Sequence, residues 1–312
     1  MDKNIAFIFP GQGSQHIGMG KDIIEKYKIA EDLFTEASEL LGFDLKKLCL
    51  EGSEDDLNNT CNTQPAIFTI SMIFDRILKE QGIFPQALAG HSLGEYSAFC
   101  SAGAFSFSEG VKLVRKRGNF MNQALSPGEG SMAAIIGLKK DKIESLCEQI
   151  DEVCEIANFN TPSQIVVSGT AKGIKEIIKL TRSEGAKKVI ELDVSGAFHS
   201  SLMVPARKKL DTALNKIDIK HIEIPVMVNA HACYLKKIDE IKDALSAQME
   251  NSVLWVNSMQ LMIEKGIETF VEVGPGRVLK GLMRRIDRSV DVYSVRDINS
   301  MEKFINRYEG SI

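Results

Sequence analysis

Several things are scarce in these 312 residues. Only six cysteines occur, at 49, 61, 100, 147, 154 and 233, and no two form a C-x-x-C pair. That spacing argues against a zinc site and against a disulfide framework, and free thiols in so long a chain fit a reducing compartment. Neither H-E-x-x-H nor an EF-hand loop is present, so no metal or other cofactor is expected. No apolar run approaches the ~20 residues needed to span a bilayer. The short run Ile5-Ala6-Phe7-Ile8-Phe9 is too brief for a signal-peptide core. These features predict a cytoplasmic chain with no membrane partner. Charge of one sign is also lacking. Lysine and arginine number 38 against 42 acids, a net −4, which gives no global field for nucleic acid.

What remains is ordinary globular material, 44% hydrophobic and 26% charged, with enough length for a large domain carrying a smaller insert. Ile5 to Phe9 reads as a buried strand ended by Pro10. From about residue 20 to about residue 80 the pattern is mostly helical, with a polar break at Gly52 to Gln64. Ala87 to Gly90 is a short strand, and a helix begins at Gly94. After the linker Ser126-Pro127-Gly128-Glu129-Gly130 comes a regular passage. Met132 to Ile136, Val153 to Ala157, Ile165 to Val167 and Val189 to Leu192 read as strands. Ile143, Leu146, Cys147 and Ile150, then Ile174, Ile177, Ile178 and Thr181, mark two helix faces. The order β-α-β-β-α-β is that of a ferredoxin-like unit. The expectation is an α/β fold: a large α/β-hydrolase-like domain over 1–127 and 195–312, with a small ferredoxin-like α+β domain inserted at 128–194.

The sharpest chemical signal is Gly90-His91-Ser92-Leu93-Gly94, a G-x-S-x-G at a strand-to-helix junction. Small neighbours let a nucleophile sit on a tight turn, with its hydroxyl above the sheet. The N–H of Leu93, at a helix start, can receive a developing oxyanion. A chance match to so short a pattern is the competing explanation, and the flanking strand and helix weigh against it. A serine needs a base, and five histidines exist. His91 adjoins Ser92 and should point elsewhere. His221 lies in a charged stretch, His16 in a loop that could line a site, and His231 after a strand over Pro225 to Val228. His199 follows the insert, and on spacing alone a lone histidine there is more often structural than catalytic. Gly11-Gln12-Gly13 lacks the third glycine of a dinucleotide fingerprint, since residue 16 is His. Gly274-Pro275-Gly276 reads as a structural turn, because proline has no N–H for a phosphate. Arg117 shares a helix stripe with Leu113, Val114, Phe120 and Met121. Its head could snorkel to water or turn inward to meet a carboxylate.

Taken together and in order, these segments resemble the malonyl-CoA:acyl carrier protein transacylases of bacterial fatty acid synthesis. The blocks that carry the resemblance run nearly end to end. They are Phe9-Pro10-Gly11-Gln12-Gly13-Ser14-Gln15, Gly90-His91-Ser92-Leu93-Gly94-Glu95-Tyr96, Arg115-Lys116-Arg117-Gly118, Asn158-Phe159-Asn160-Thr161-Pro162, Val194-Ser195-Gly196-Ala197-Phe198-His199-Ser200, Gln248, and Glu272-Val273-Gly274-Pro275-Gly276. The resemblance implies Ser92 as nucleophile, His199 as general base, and the N–H groups of Gln12 and Leu93 as oxyanion hole. It implies that Arg117 holds the malonyl carboxylate, that Phe198 crowds a 2-methyl branch, and that Gln248 orients His199 through its backbone carbonyl. The partners implied are malonyl-CoA and a holo acyl carrier protein received on a basic surface, with Lys187, Lys188, Lys280, Arg284 and Arg285 as candidates. The chain is expected to act as a monomer. Two departures stand near these segments, Ala197 and Ser252, each where the family often has proline. Two other classes stay open from sequence: a serine hydrolase, for which Asp193 is the only acid close to His199 in sequence, and an acyltransferase of polyketide assembly.

Overall fold

A computed structural model describes residues 4–194 and 196–310. In chain order it runs β1 (Ile5–Phe9), α1 (Lys21–Lys26), α2 (Lys28–Leu41), α3 (Leu45–Glu51), α4 (Glu54–Asn58), α5 (Thr60–Glu80), β2 (Ala87–Gly90), α6 (Leu93–Ser101) and α7 (Phe107–Asn122). Then come β3 (Gly130–Ile136), α8 (Lys140–Cys147), β4 (Cys154–Thr161), β5 (Gln164–Thr170), α9 (Ala171–Ser183) and β6 (Lys188–Glu191). The remainder is α10 (Val204–Leu214), β7 (Val226–Val228), β8 (Cys233–Leu235), α11 (Ile238–Ala247), α12 (Trp255–Glu264), β9 (Thr269–Val273), α13 (Val278–Ile286), β10 (Asp291–Val295) and α14 (Ile298–Glu309). The α/β class read from the sequence is the class observed.

Strands form two sheets. The larger has the order β10-β9-β1-β2-β7-β8, parallel except for the last pair. Strand β1 reads as an unbroken apolar run because both faces of a central parallel strand are covered. Ile5, Phe7 and Phe9 point into one core with α2, α5, α6 and α7, while Ala6 and Ile8 point into a second with Trp255, Met259 and Met283. The smaller sheet has the order β4-β5-β3-β6, antiparallel throughout. A third core under it joins Ala133, Ile135 and Val167 to Ile143, Ile174 and Ile177 of α8 and α9.

The polar break expected over Gly52 to Gln64 is largely helical. Ser53 caps α4, and Asn59 caps α5, whose second residue is Cys61. Pro65 lies inside α5 and cannot donate to the carbonyl of Cys61 four residues earlier. Arg115 of α7 makes up the loss, with Nη1 donating to Cys61 O at 2.7 Å. Helix α7 itself opens with a reciprocal cap between Ser106 and Glu109.

Candidate active site

The turn at Gly90 to Gly94 is shaped by close approach. A Cβ on Gly90 would lie 1.9 Å from the carbonyl of Gly94, and one on Gly94 would lie 2.0 Å from Phe9 O. Only glycine fits either position. Ser92 between them has φ 50° and ψ −106°, a conformation costly for any residue with a side chain. It sits at the carboxyl end of β2, where parallel α/β sheets place their ligand crevices.

Three contacts fix the Ser92 hydroxyl and the His199 ring, and Arg117 makes two more behind them. Ser92 Oγ lies 2.8 Å from His199 Nε2, and His199 Nδ1 lies 2.8 Å from Gln248 O. A carbonyl only accepts, so Nδ1 carries the proton and Nε2 presents a lone pair to the hydroxyl. Burial first, and the nearby Arg117 charge second, depress the His199 pKa to about 3. The ring is therefore neutral at physiological pH. Arg117 Nη2 donates to the same Oγ at 3.1 Å and to Gln248 Oε1 at 2.9 Å, while Nη1 donates to Gln64 Oε1 at 3.0 Å. The guanidinium also lies over Tyr96, 5.1 Å from the ring centroid.

Arg117 is 1% exposed, which removes the snorkelling alternative. Among the described residues it forms no ion pair with a carboxylate. The nearest acid electrostatically is Glu95, whose pKa burial pushes up to about 8, so it holds its proton at neutral pH. A buried cation without an anion is an expensive arrangement.

These groups line a cavity of about 420 Å³ between the ends of β1 and β2 and the face of the smaller sheet. Gln12, Leu93, Arg117, Phe198 and His199 all reach it, with Met132, Val166 and Leu282 as apolar wall. Leu93 opens α6, and neither its N–H nor that of Gln12 enters a turn, loop or cap hydrogen bond among the described residues. Gln248 stands behind the cavity, fully buried. Its side chain makes contacts as well as its carbonyl: Nε2 donates to Ser92 O at 2.9 Å.

The other histidines separate cleanly. His91 lines the cavity, but its Nε2 meets Asn160 Oδ1 at 2.8 Å and its ring sits edge-on to Trp255. His16 and His231 are exposed, and His221 faces Glu223 at the surface. Asp193 is exposed at the cavity rim and does not hold His199, whose Nδ1 meets Gln248 O. A carbonyl holds His199 Nδ1, where a hydrolase triad would use an acid. Ser195, in the block before His199 and at the expected domain boundary, lies outside the described residues. Ala197 is fully buried, and Ser252 Oγ donates to Ile156 O. Sequence reasoning missed Gln64, inside the supposed polar break, and Asn229, which holds Ser92 N. An apolar strand just before Asn229 was its only signal.

Fold and site together define the class of α/β acyl transferases, and the family model described as "Acyl transferase domain" matches residues 6–303. The malonyl CoA-acyl carrier protein transacylase of Bacillus subtilis (strain 168) is 45% identical over 301 residues, 96% of this chain and 95% of that protein. The protein of the same name from Escherichia coli (strain K12) is 42% identical over 299 residues, 95% and 97% of the two chains. A malonyl-transacylase solved in complex with its type II PKS acyl-carrier protein superposes with a TM-score of 0.96 at 36% identity, covering 98% of this chain and all of that one. The chain belongs to the malonyl CoA-acyl carrier protein transacylase family.

Proposed function

We propose that the chain is an [acyl-carrier-protein] S-malonyltransferase, moving malonyl from coenzyme A to the phosphopantetheine thiol of an acyl carrier protein through an ester on Ser92. The observation that carries this reading is Arg117. A guanidinium 1% exposed, lacking a carboxylate partner among the described residues and 3.1 Å from Ser92 Oγ, calls for an acyl group with its own carboxylate. Malonyl has one and acetyl does not.

In the first half-reaction Ser92 Oγ attacks the thioester carbonyl while His199 Nε2 takes the hydroxyl proton. The oxyanion is received by the N–H groups of Gln12 and Leu93. As the intermediate collapses, the C–S bond breaks and the His199 proton leaves with coenzyme A as the thiol. In the second half-reaction the carrier thiol gives its proton to His199 and attacks the ester, and Ser92 leaves with that proton. This is ping-pong transfer with two acceptors of one acyl group. Apolar walls from Met132, Val166 and Leu282 favour transfer over hydrolysis by offering water no polar partner there.

The carrier is acidic in such systems, and exposed Lys187, Lys188, Arg284 and Arg285, with half-buried Lys280, offer it a basic surface. Helix α13 carries three of these and also turns Leu279 and Leu282 into the cavity, which favours that side. The assignment of the carrier to fatty acid synthesis, of residues 1–127 with 195–312 and of 128–194 to two domains, and of a cytoplasmic monomer belong to the same proposal. The separate core beneath the smaller sheet supports the division.

Arg117→Ala tests the reading. Loss of one partner of a buried charge pair costs ~3–5 kcal/mol, so malonyl transfer should fall by about 10²–10⁴-fold while acetyl transfer is kept or improved. Arg117→Lys should fall between. An equal fall for both acyl groups would make Arg117 a residue of the fold and sink the substrate assignment.

A further inference from the structure

Strand β2 ends at Gly90, and its ladder with β7 ends before it, with Leu88 opposite Val226 and Ala89 opposite Met227. Beyond Gly90 and His91, Ser92 must hold its positive φ. No backbone group of β7 reaches that far. Asn229, the residue after β7, supplies one from its side chain. Its Nδ2 donates to Gly90 O at 2.7 Å, and its Oδ1 accepts from Ser92 N at 2.7 Å.

That pairing has a recognisable pattern. In a parallel ladder a residue's N–H and C=O bond the residues before and after the one they face. The carboxamide of Asn229 bonds Gly90 and Ser92, and so stands opposite His91 as a strand peptide group would. The rest of Asn229 is fixed as well. Its own N–H donates to Glu95 Oε2 at 2.6 Å, its carbonyl accepts from Leu254 N at 2.9 Å, and the residue is 1% exposed. Glu95 lies in the first turn of α6, so Asn229 ties strand end, nucleophile and following helix at one point.

We propose that Asn229 is a positioning residue for acyl transfer, its carboxamide adding one rung to the β2–β7 ladder and holding Ser92 in the strained backbone that aims Oγ at His199. This rests on Ser92 being the nucleophile. Asn229 does not line the cavity, so it acts through Ser92 and not on the substrate. The side chain must be both donor and acceptor. Aspartate keeps the acceptor for Ser92 N and sets a carboxylate against Gly90 O, and alanine removes both bonds.

The test compares Asn229→Ala, Asn229→Asp and a core control, Met262→Val, in the full chain. Two readouts are taken: the rate of labelling at Ser92 by a fluorophosphonate, mapped to the peptide, and kcat and KM with malonyl-CoA. Asn229→Ala should slow both labelling and kcat by about 30-fold, since two buried backbone groups lose their partners. KM should stay within about twofold, because the cavity wall is untouched. Asn229→Asp should also slow both. Met262→Val, which lowers Tm through core packing alone, should label at the wild-type rate. Labelling of the alanine variant as fast as the control, a change in KM with kcat kept, or failure of both Asn229 variants to fold would overturn the proposal. A wild type that labels at Ser92 but takes no malonyl would sink the malonyl reading and leave the Asn229 comparison standing.

Discussion

His199 shows how a single side chain is prepared by its surroundings. Its two hydrogen bonds fix the tautomer, and burial beside Arg117 keeps the ring neutral well below the ordinary imidazole range. A depressed pKa favours the unprotonated form, which is the form a general base needs. Acylation should therefore show no acid limb near the ordinary histidine value of ~6.5. The pH profile of kcat/KM for malonyl-CoA, which reports the free enzyme, should stay flat down to about pH 6 and below. An inflection near that ordinary value would mean that the base is a solvated imidazole. Replacing the base by alanine should slow the release of coenzyme A in a single turnover by about 10²–10⁴-fold. Phe198, 5% exposed, presses its ring against Gly196 and into the cavity beside the base. Phe198→Ser should raise the use of methylmalonyl-CoA relative to malonyl-CoA, read as the ratio of the two specificity constants; an unchanged ratio would place the ring outside the α-carbon pocket. The site was legible at this scale only in part. Ser92 announces itself through flanking glycines, but Arg117 on an apolar stripe reads equally as a snorkelling or an inward cation. The periodicity of one helix does not say whether its buried face meets a core or a cleft. Gln64 and Asn229 gave less still, because their partners lie 53 and 137 residues away in sequence.

Elements place these residues through contacts that local pattern hides. Helix α13 begins at Val278 without a side-chain cap from its own N-terminal residue, Arg277. Glu272, from the adjacent strand β9, caps it instead. Its carboxylate accepts from Leu279 N at 2.9 Å and from Lys280 N at 3.0 Å. This gives the Glu272-Val273-Gly274-Pro275-Gly276 segment a physical role, since the turn brings strand and helix start face to face. Glu272→Ala should destabilise the protein by ~1–3 kcal/mol, the cost of leaving buried donors unpaired. Urea unfolding would show the loss; an unaltered midpoint would mean that α13 is held by its apolar face alone. Strands β1 to β7 were legible because short β-rich runs between turn residues carry their own boundaries, whereas β8 and β10 at the edges of the larger sheet were not read. Helix α4 and the start of α5 were not. Asparagine, threonine and a proline discourage a helix locally, and the compensation, Arg115 reaching Cys61 O, comes from α7, far along the chain.

On the scale of the whole molecule, two sheets meet over one cavity: the smaller keeps its own core on one face, while Met132, Ala134, Ala157 and Val166 on the other join the core of the larger. Residues 252–254 join them, with Val253 pairing against β4 through Val253 N to Ala157 O at 2.8 Å and Phe159 N to Val253 O at 2.9 Å. Ser92 and His199 come from the larger sheet's side, and Met132, Asn158 and Val166 from the smaller. The strand-helix order of the smaller unit was readable from the two hydrophobic periods, of strand and of helix, in sequence. That it lines the cavity was not, because periodicity describes an element's faces and not the partner each face finds. The most direct test of malonyl transfer through Ser92 follows the acyl group through this cavity. Intact-protein mass spectrometry after mixing with malonyl-CoA alone should show one malonyl adduct, mapped to Ser92, and adding a holo acyl carrier protein should clear it while the carrier gains the same mass. An adduct on another residue, or a malonyl-Ser92 ester that water discharges as fast as the carrier does, would contradict it.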